Sequence, residues 1–501
     1  MAKATLKSIP VSSGEIIDLE IESMSYDNAA LAHYKDFVIF VDRGAPGDVV
    51  QAEITTVRPD YARAKITELK KSDSLYRVDA PCKIFKVCGG CQWQHLPYNK
   101  QLEQKDLLLK RFFLRLNLPK GVLKNIIGAS VIASEAKQSH KPMTDHEIAS
   151  SGKALLAMTN PGIWNYRNKV QYPVRTVPET GRLKAGYFEW HSNELVNIKY
   201  CPIQYEQFDQ ILETVRELAP KYKIVAYDGR RGSGWLRHIC VRAGINTGEA
   251  LLTLVAINEN LSRSQEFAKE IMDKHPELVG VCININTKTT NVIYGEKTKV
   301  IKGKGYIFEK IKDLKFKISA TSFFQVNTLQ AERLLEIIGD FIGGDVPSGT
   351  LYNGILDAYC GVGLIALSVA KYAERIIGIE EIKQSIEDAE YSAKENNIKN
   401  VTFINGKVEN KIEDVLEKEN PEVIILDPPR AGCNKKILES VIESKVKKII
   451  YVSCNPSTLA RDLEVLCRGV LVARPFEIKS IQPIDIFPHS YHVECVVSLE
   501  R

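Results

Sequence analysis

An alternation of short apolar runs and amphipathic stretches after Leu351 constrains the fold of this chain more than any other feature. GILDAY, LIALSVAKYA, RIIGIE, SIEDAEYSAKENN, VTFIN, VIILD and IIYVSC succeed one another as far as Cys454. Apolar strands separated by helical periods belong to a buried parallel sheet, because parallel neighbours need crossover connections. The series predicts an α/β, doubly wound, Rossmann-like sheet whose ligand lies at the carboxyl ends of its strands.

That unit leaves most of the chain to be placed elsewhere. At 501 residues the protein is too long for one core, so two to four domains are expected. Hydrophobic residues at 44% and charged residues at 26% exclude a disordered or collagen-like chain. Residues 13–72 read as short strands at Ile16–Ile21, Phe37–Val41, Val49–Ile54 and Ala62–Ile66, with Ala45-Pro46-Gly47 as a turn. Strands this closely spaced predict a small, OB-like β-barrel. Pro81–Pro97 has no period, and Leu107, Leu108, Phe112 and Leu116 mark an amphipathic helix over Gln101–Leu116. Residues 129–160 lack aromatics and any clear period, and are expected to be a mobile insertion with a short helix near Ala154–Met158. Residues 162–318 resume with strands at Val170–Val174, Leu251–Ile257 and Gly280–Ile285, and helices at Glu206–Glu217 and Gln265–Lys274. That pattern is α+β.

The net charge of +5 says little about partners, but its distribution says more. Ala62–Lys124 holds 14 Lys/Arg against 5 Asp/Glu, leaving the remainder slightly acidic. Lys221–Arg242 contributes Lys221, Lys223, Arg230, Arg231, Arg237 and Arg242 against Asp228 alone. Such stretches suit RNA, and they equally suit solvated faces. The 11 cysteines are odd in number and mostly far apart, unlike a secreted disulfide scaffold. With no apolar run of about 18 residues and no signal-like start, a cytoplasmic protein with reduced thiols and no membrane association is expected. Nothing in the sequence calls for an obligate protein partner.

The first predicted strand of the α/β unit ends in Asp357-Ala-Tyr-Cys-Gly361-Val-Gly363, and the second ends at Glu380. Glycines there let the backbone approach a ligand, and an acid at the next strand end suits ribose hydroxyls. The full G-x-G-x-x-G spacing of dinucleotide sites is missing, which favours S-adenosylmethionine over NAD. A further strand ends in Asp427-Pro428-Pro429-Arg430, whose prolines impose a rigid extended loop. Tyrosine at the fourth position would suggest adenine N-methylation; arginine argues against it.

Strand IIYVS delivers Cys454 to the same edge, immediately before Asn455-Pro456. A methyltransferase has a defined use for such a thiol. Thiolate addition to C6 of uracil makes C5 nucleophilic toward a methyl sulfonium, and a base then removes the C5 proton so that the thiolate leaves. Glu494, in HVECVVSL beyond His489 and His492, has the apolar flanks that raise a carboxylate's pKa for proton transfer. A core cysteine and a strand-opening glutamate are the plainer alternatives. Cys82-x5-Cys88-Gly-Gly-Cys91 forms a tight group, with Cys201 the best distant fourth. Only one C-x2-C unit occurs, so iron–sulfur ligation suits the spacing better than tetrahedral zinc, which stays open.

CKIFKVCGGCQWQH, SFFQVN, DAYCGVG, DPPR, SCNP and HSYHVE together resemble the RNA uracil-5-methyltransferases, in particular the bacterial 23S ribosomal RNA branch with a TRAM domain and a [4Fe-4S] cluster. The resemblance covers nearly all of the chain outside 129–160. It implies a TRAM barrel at 8–72 for RNA binding, a central cluster domain at 73–320 and a methyltransferase domain at 321–501. It further implies Cys82, Cys88, Cys91 and Cys201 as cluster ligands, and Gln325, Tyr359, Glu380 and Asp427 as S-adenosylmethionine contacts. Cys454 would be the nucleophile and Glu494 the base, acting on a flipped uridine. The TRAM segment and the cluster favour ribosomal RNA over the T-loop of transfer RNA. A non-enzymatic RNA-binding factor would need neither Cys454 nor Glu494. Three departures stand out: Asp27-Asn28 and Ala30 replace glycines of the TRAM pattern, Lys407 replaces an acid or amide near the adenine, and 129–160 has no counterpart.

Overall fold

The computed structural model describes residues 9–26, 29–73, 75–129, 162–344, 350–468 and 475–501. The expected insertion therefore lies outside the described residues except for Ala129, as do Asp27 and Asn28. The chain divides into two compact bodies. One comprises described residues of Met1–Lys86, Gly90–Arg115 and Phe487–Val493; the other comprises those of Val87–Gly89, Leu116–Ile486 and Glu494–Arg501.

The first body is built on strands β1 (Ile16–Glu20), β2 (Ser23–Met24), β3 (Ala29–Tyr34), β4 (Phe37–Asp42), β5 (Val49–Val57) and β6 (Tyr61–Lys71). Their order is β1-β5-β6-β4-β3-β2, and the β4–β6 pair is parallel. Alternate residues Ile17, Leu19, Ile39, Val41, Val50, Ala52 and Ile54 point into one core. Sequence reasoning missed β3, since alanine-rich AALAHY has weak strand propensity. A tight turn pairs β3 with β4, with Lys35 and Asp36 at φ 51° and 63°.

Helix α1 spans Tyr98–Phe113, three residues earlier at its start than expected. Its buried face is Gln101, Gln104, Lys105, Leu108, Leu109 and Phe113, whereas Leu107 is exposed. The predicted stripe was displaced because the buried polar residues find partners. Gln101 Nε2 donates to the carbonyls of Trp93 and Leu96, and Gln104 Oε1 accepts from the Met24 amide. His489 is part of the same network. Its amide donates to Gln101 Oε1, and its carbonyl accepts from the Gln92 and Trp93 amides.

The second body holds two larger sheets. Strands β7 (Lys169–Thr176), β8 (Leu183–Ala185), β9 (Leu236–Ala243), β10 (Ala250–Ala256), β11 (Leu278–Ile285) and β12 (Lys297–Gly303) run in the order β12-β11-β10-β9-β7-β8. Helices α2 (Gln207–Leu218) and α3 (Ser264–Lys274) belong to this α+β part, as expected. Strand β9 is central yet was not anticipated, because its arginines and histidine made it read as a basic stretch. A hairpin, β13 (Tyr306–Ile311) and β14 (Leu314–Ser319), leads to helix α4 (Thr328–Gly343).

The α/β sheet contains β15 (Ile355–Ala358), β16 (Ile376–Glu380), β17 (Val401–Asn405), β18 (Val423–Leu426), β19 (Lys448–Ser453), β20 (Glu477–Ile484) and β21 (Glu494–Glu500). Its helices are α5 (Leu364–Ser368), α6 (Lys383–Glu395), α7 (Val408–Glu419), α8 (Lys435–Glu443) and α9 (Pro456–Arg468). The order is β17-β16-β15-β18-β19-β21-β20. Strands β15 to β19 pair in parallel as the alternating pattern predicts, and β15 and β18 flank the point where strand order reverses. Strand β21 then inserts antiparallel between β19 and β20. No helix among the described residues is long and apolar enough to cross a membrane.

Candidate active site

The strand ends at the switch point carry carboxylates that backbone amides hold in place. Asp357 at the end of β15 is fully buried, and its Oδ2 accepts from the Ala366 amide at 2.9 Å. Its Oδ1 has no hydrogen-bond partner among the described residues. Burial pushes this carboxyl well above the usual range, and the charge of Asp427 adds to the shift. Glu380, at the end of β16, accepts from the Gly361 amide at 3.1 Å and from the Ile382 amide at 2.8 Å. One side chain thus ties the second strand end to the glycine turn of the first.

That turn bends through left-handed residues, Tyr359 at φ 69° and Gly363 at φ 79°. A Cβ on Gly363 would lie 3.1 Å from both Ala389 Cβ and Phe403 Cζ, so glycine is needed for packing as well as for φ. Gln325 lies in the loop before α4, which is pinned from several sides. Asn168 Nδ2 donates to the Gln325 carbonyl at 2.9 Å, and Ser322 Oγ donates to Asp388 of α6 at 2.7 Å. Asn327 caps α4, its side chain accepting from the Gln330 amide. The side-chain bonds account for Ser322 and Asn327 of SFFQVN, while Gln325 is held here through its backbone carbonyl.

At the other side of the crevice, β19 and β21 meet in antiparallel register with Ser453 opposite Cys495. Cys454 follows β19 directly and Glu494 opens β21, so these residues, 40 positions apart in the chain, adjoin the end of this ladder, and the charge of Glu494 acts on the Cys454 thiol. Burial pushes the Cys454 thiol up to about 11, with the charge of Glu494 raising it further. The Arg430 guanidinium, by charge and by hydrogen bond, pulls it down. Glu494 is 3% exposed; burial raises its carboxyl well above the ordinary range, Asp427 adds to this and Arg430 opposes it. Burial also pushes Asp427 up to about 7.

Arg430 was noted in the sequence only as an argument against adenine chemistry, and Asp462 not as a site residue. The Arg430 carbonyl accepts from Asn455 Nδ2 at 3.0 Å and from Thr458 Oγ1 at 3.2 Å, joining the double-proline loop to the segment after Cys454. Fully buried Asp462 accepts from the Cys433 amide at 2.8 Å, from Tyr451 at 2.6 Å and from Arg461 at 2.8 Å. Arg461 in turn donates to the Ala431 carbonyl at 2.9 Å. The Arg-Asp pair on α9 therefore braces the loop that carries Arg430. Tyr359 reaches the same loop through Cys433, and burial raises its hydroxyl's pKa.

The cysteines expected to hold a cluster fall in both bodies. Cys82 and Cys91 belong to the first, Cys88 and Cys201 to the second. Burial raises Cys82 and pushes Cys201 up to about 12, and the charge of Cys88 adds to the shift at Cys201. Among the described residues, no three or more of His, Cys, Asp and Glu are grouped so as to hold a metal ion. The iron–sulfur cluster is therefore not shown.

Comparison with known proteins places this geometry. The profile of the tRNA (Uracil-5-)-methyltransferase family matches residues 267–501, and that of the TRAM domain matches 10–67. An uncharacterized RNA methyltransferase of Bacillus cereus is 36% identical over 99% of both chains. One of Listeria innocua is 35% identical over 98% of this chain and 99% of its own. The Pyrococcus abyssi tRNA (uracil-54, C5)-methyltransferase, solved with S-adenosyl-L-homocysteine, shares the fold. Its TM-score is 0.70 at 24% identity, covering 96% of this chain and 100% of that one. The chain belongs to the S-adenosylmethionine-dependent RNA uracil-5-methyltransferase family and carries an N-terminal TRAM domain.

Proposed function

We propose that the protein methylates C5 of a uridine in 23S ribosomal RNA through a covalent adduct, with Cys454 as nucleophile and Glu494 as base. The reading is supported by the β19–β21 pairing, at whose end Cys454 follows one strand and Glu494 opens the other, with the charges of Arg430 and Asp427 acting on both.

The residues suit S-adenosylmethionine. The Glu380 carboxylate at the glycine turn and half-buried Asp427 stand at strand ends of one sheet with their pKa values raised, and a cationic sulfonium bound there would favour their ionised forms. Gln325, Tyr359, Glu380 and Asp427 would hold it, and when bound it supplies an electrophilic methyl group. Arg430 favours the Cys454 thiolate, whose sulfur forms a bond to C6 of the flipped uracil and shifts the ring electrons toward C5. After C5 gains the methyl, Glu494 accepts the C5 proton, and the returning electrons expel the Cys454 thiolate. The raised affinity of Glu494 for a proton suits that role.

We assign the three functional parts as the TRAM domain at 8–72, the central domain at 73–320 and the methyltransferase domain at 321–501. Cys82, Cys88, Cys91 and Cys201 are the proposed [4Fe-4S] ligands, supported by their spacing and by the influence of Cys88 on Cys201. No electron enters the methylation, so the cluster has no step in it. Anaerobic purification followed by iron analysis and visible spectroscopy tests this; a colourless, iron-free protein contradicts it. Transfer RNA is the second reading, favoured by the fold shared with a tRNA (uracil-54, C5)-methyltransferase. Methyl transfer to 23S ribosomal RNA and transfer RNA transcripts, assayed side by side, decides between them, and 5-methyluridine on the ribosomal transcript is the expected result.

A further inference from the structure

We propose that Lys169, set opposite Arg242 on one face of the β7–β9 pair, contacts a phosphodiester group of the bound RNA; this rests on the RNA-methylating reading above. The register places Lys169 directly across from Arg242. Like charges facing each other across a strand pair are destabilising, and Asp388, the carboxylate whose charge acts on Arg242, is itself ion-paired with Lys317. Arg242 is 5% exposed. Its guanidinium donates to the Ser322 carbonyl, while its Nε and Nη1 are buried without hydrogen-bond partners. A desolvated cation in this state raises the local positive potential. Lys169 keeps part of its surface open, with its ammonium 5.5 Å from the centre of the Tyr294 ring.

The location fits the reaction. Asn168, next to Lys169, holds the Gln325 carbonyl, and Arg242 holds that of Ser322, so the pair adjoins the loop proposed to contact the cofactor. Three cations of the basic stretch have partners of their own, while Lys223 and Arg230 are exposed on the surface. Lys221 pairs with Glu270, Arg231 with Asp228, and Arg237 donates to the carbonyls of Asn286 and Lys288. Lys169 is a half-buried lysine whose ammonium lies beside the buried Arg242. The groups facing it are Arg242 and Cys240 on β9, Arg167 on its own segment and Tyr294. Burial pushes the Lys169 ammonium down to about 7; Arg242 and Arg167 push the same way, and Cys240 opposes them. A bound phosphate would raise that value, so binding takes up a proton above neutrality.

The test uses the transcript that the wild type methylates, with affinity measured against salt and pH for wild type, Lys169→Ala and Lys169→Arg. Binding of S-adenosyl-L-homocysteine confirms folding. Lys169→Ala is expected to weaken RNA binding about tenfold and to lower the slope of log affinity against log salt by about one. Wild-type affinity should fall as pH rises above 7, while Lys169→Arg stays bound there because its charge persists. Unchanged salt and pH dependence in Lys169→Ala overturns the proposal, as does a loss confined to S-adenosylmethionine binding. Failure of the wild type to methylate any RNA contradicts the parent reading instead.

Discussion

Cys454 and Cys201 both lie in the second body, and burial drives both thiols upward, to about 11 and about 12. Their neighbours separate them. Cys454 feels the negative charges of Glu494 and Asp427, which oppose ionisation, but also has the Arg430 guanidinium, whose charge and hydrogen bond favour the thiolate. Cys201 has backbone donors at Ile203 and Gln204, but Cys88 and Asp209 add negative charge that opposes ionisation. The proposed nucleophile has a cation beside it that favours a thiolate; the proposed cluster ligand would need a metal to supply that charge. Burial alone does not distinguish a nucleophile from a ligand. Both thiols have negative neighbours, and the guanidinium beside Cys454 is the feature that Cys201 lacks among the influences on it.

The largest expected effect comes from removing the reacting thiol. Cys454→Ala should lower methyl transfer by at least about three orders of magnitude while S-adenosyl-L-homocysteine still binds in calorimetry. Cys201→Ser should instead cost iron content and leave methylation measurable; equal losses of activity in the two variants would erase the contrast. Arg430→Gln is expected to reduce kcat about a hundredfold, with partial recovery in Arg430→Lys. Because Arg430 lowers the Cys454 pKa, alkylation of that thiol should rise with pH toward a midpoint near 11 in the wild type and still higher in Arg430→Gln. Asp462→Asn should act more weakly, lowering kcat about tenfold through a loosened loop. It should also cost about 2 kcal/mol in denaturant unfolding, as charge-assisted bonds to Cys433, Tyr451 and Arg461 weaken.

What the sequence disclosed follows the distance between interacting residues. Asp357, the glycine turn and Glu380 were legible because strand ends and turns are local, and their contacts span at most 19 positions. Cys454 was legible as a strand-end residue, but not its proximity to Glu494, which depends on an antiparallel strand entering beside β19. Strand β9 and the true buried face of α1 escaped detection for one reason. Arg242, Gln101, Gln104 and Lys105 are polar residues buried through tertiary partners, and periodicity counts them as surface. Asp462 was invisible as a brace because its contacts with Cys433 and Tyr451 bring separate segments together.

The most direct test of the proposed mechanism is the fate of the adduct when the base is removed. Glu494→Gln, incubated with S-adenosylmethionine and the substrate transcript, should accumulate a protein–RNA complex that survives denaturing electrophoresis. The complex should carry the transferred methyl group and vanish in the Cys454→Ala, Glu494→Gln double variant. Free 5-methyluridine product formed by Glu494→Gln at the wild-type rate, with no such complex, would contradict the pairing of Cys454 as nucleophile with Glu494 as base.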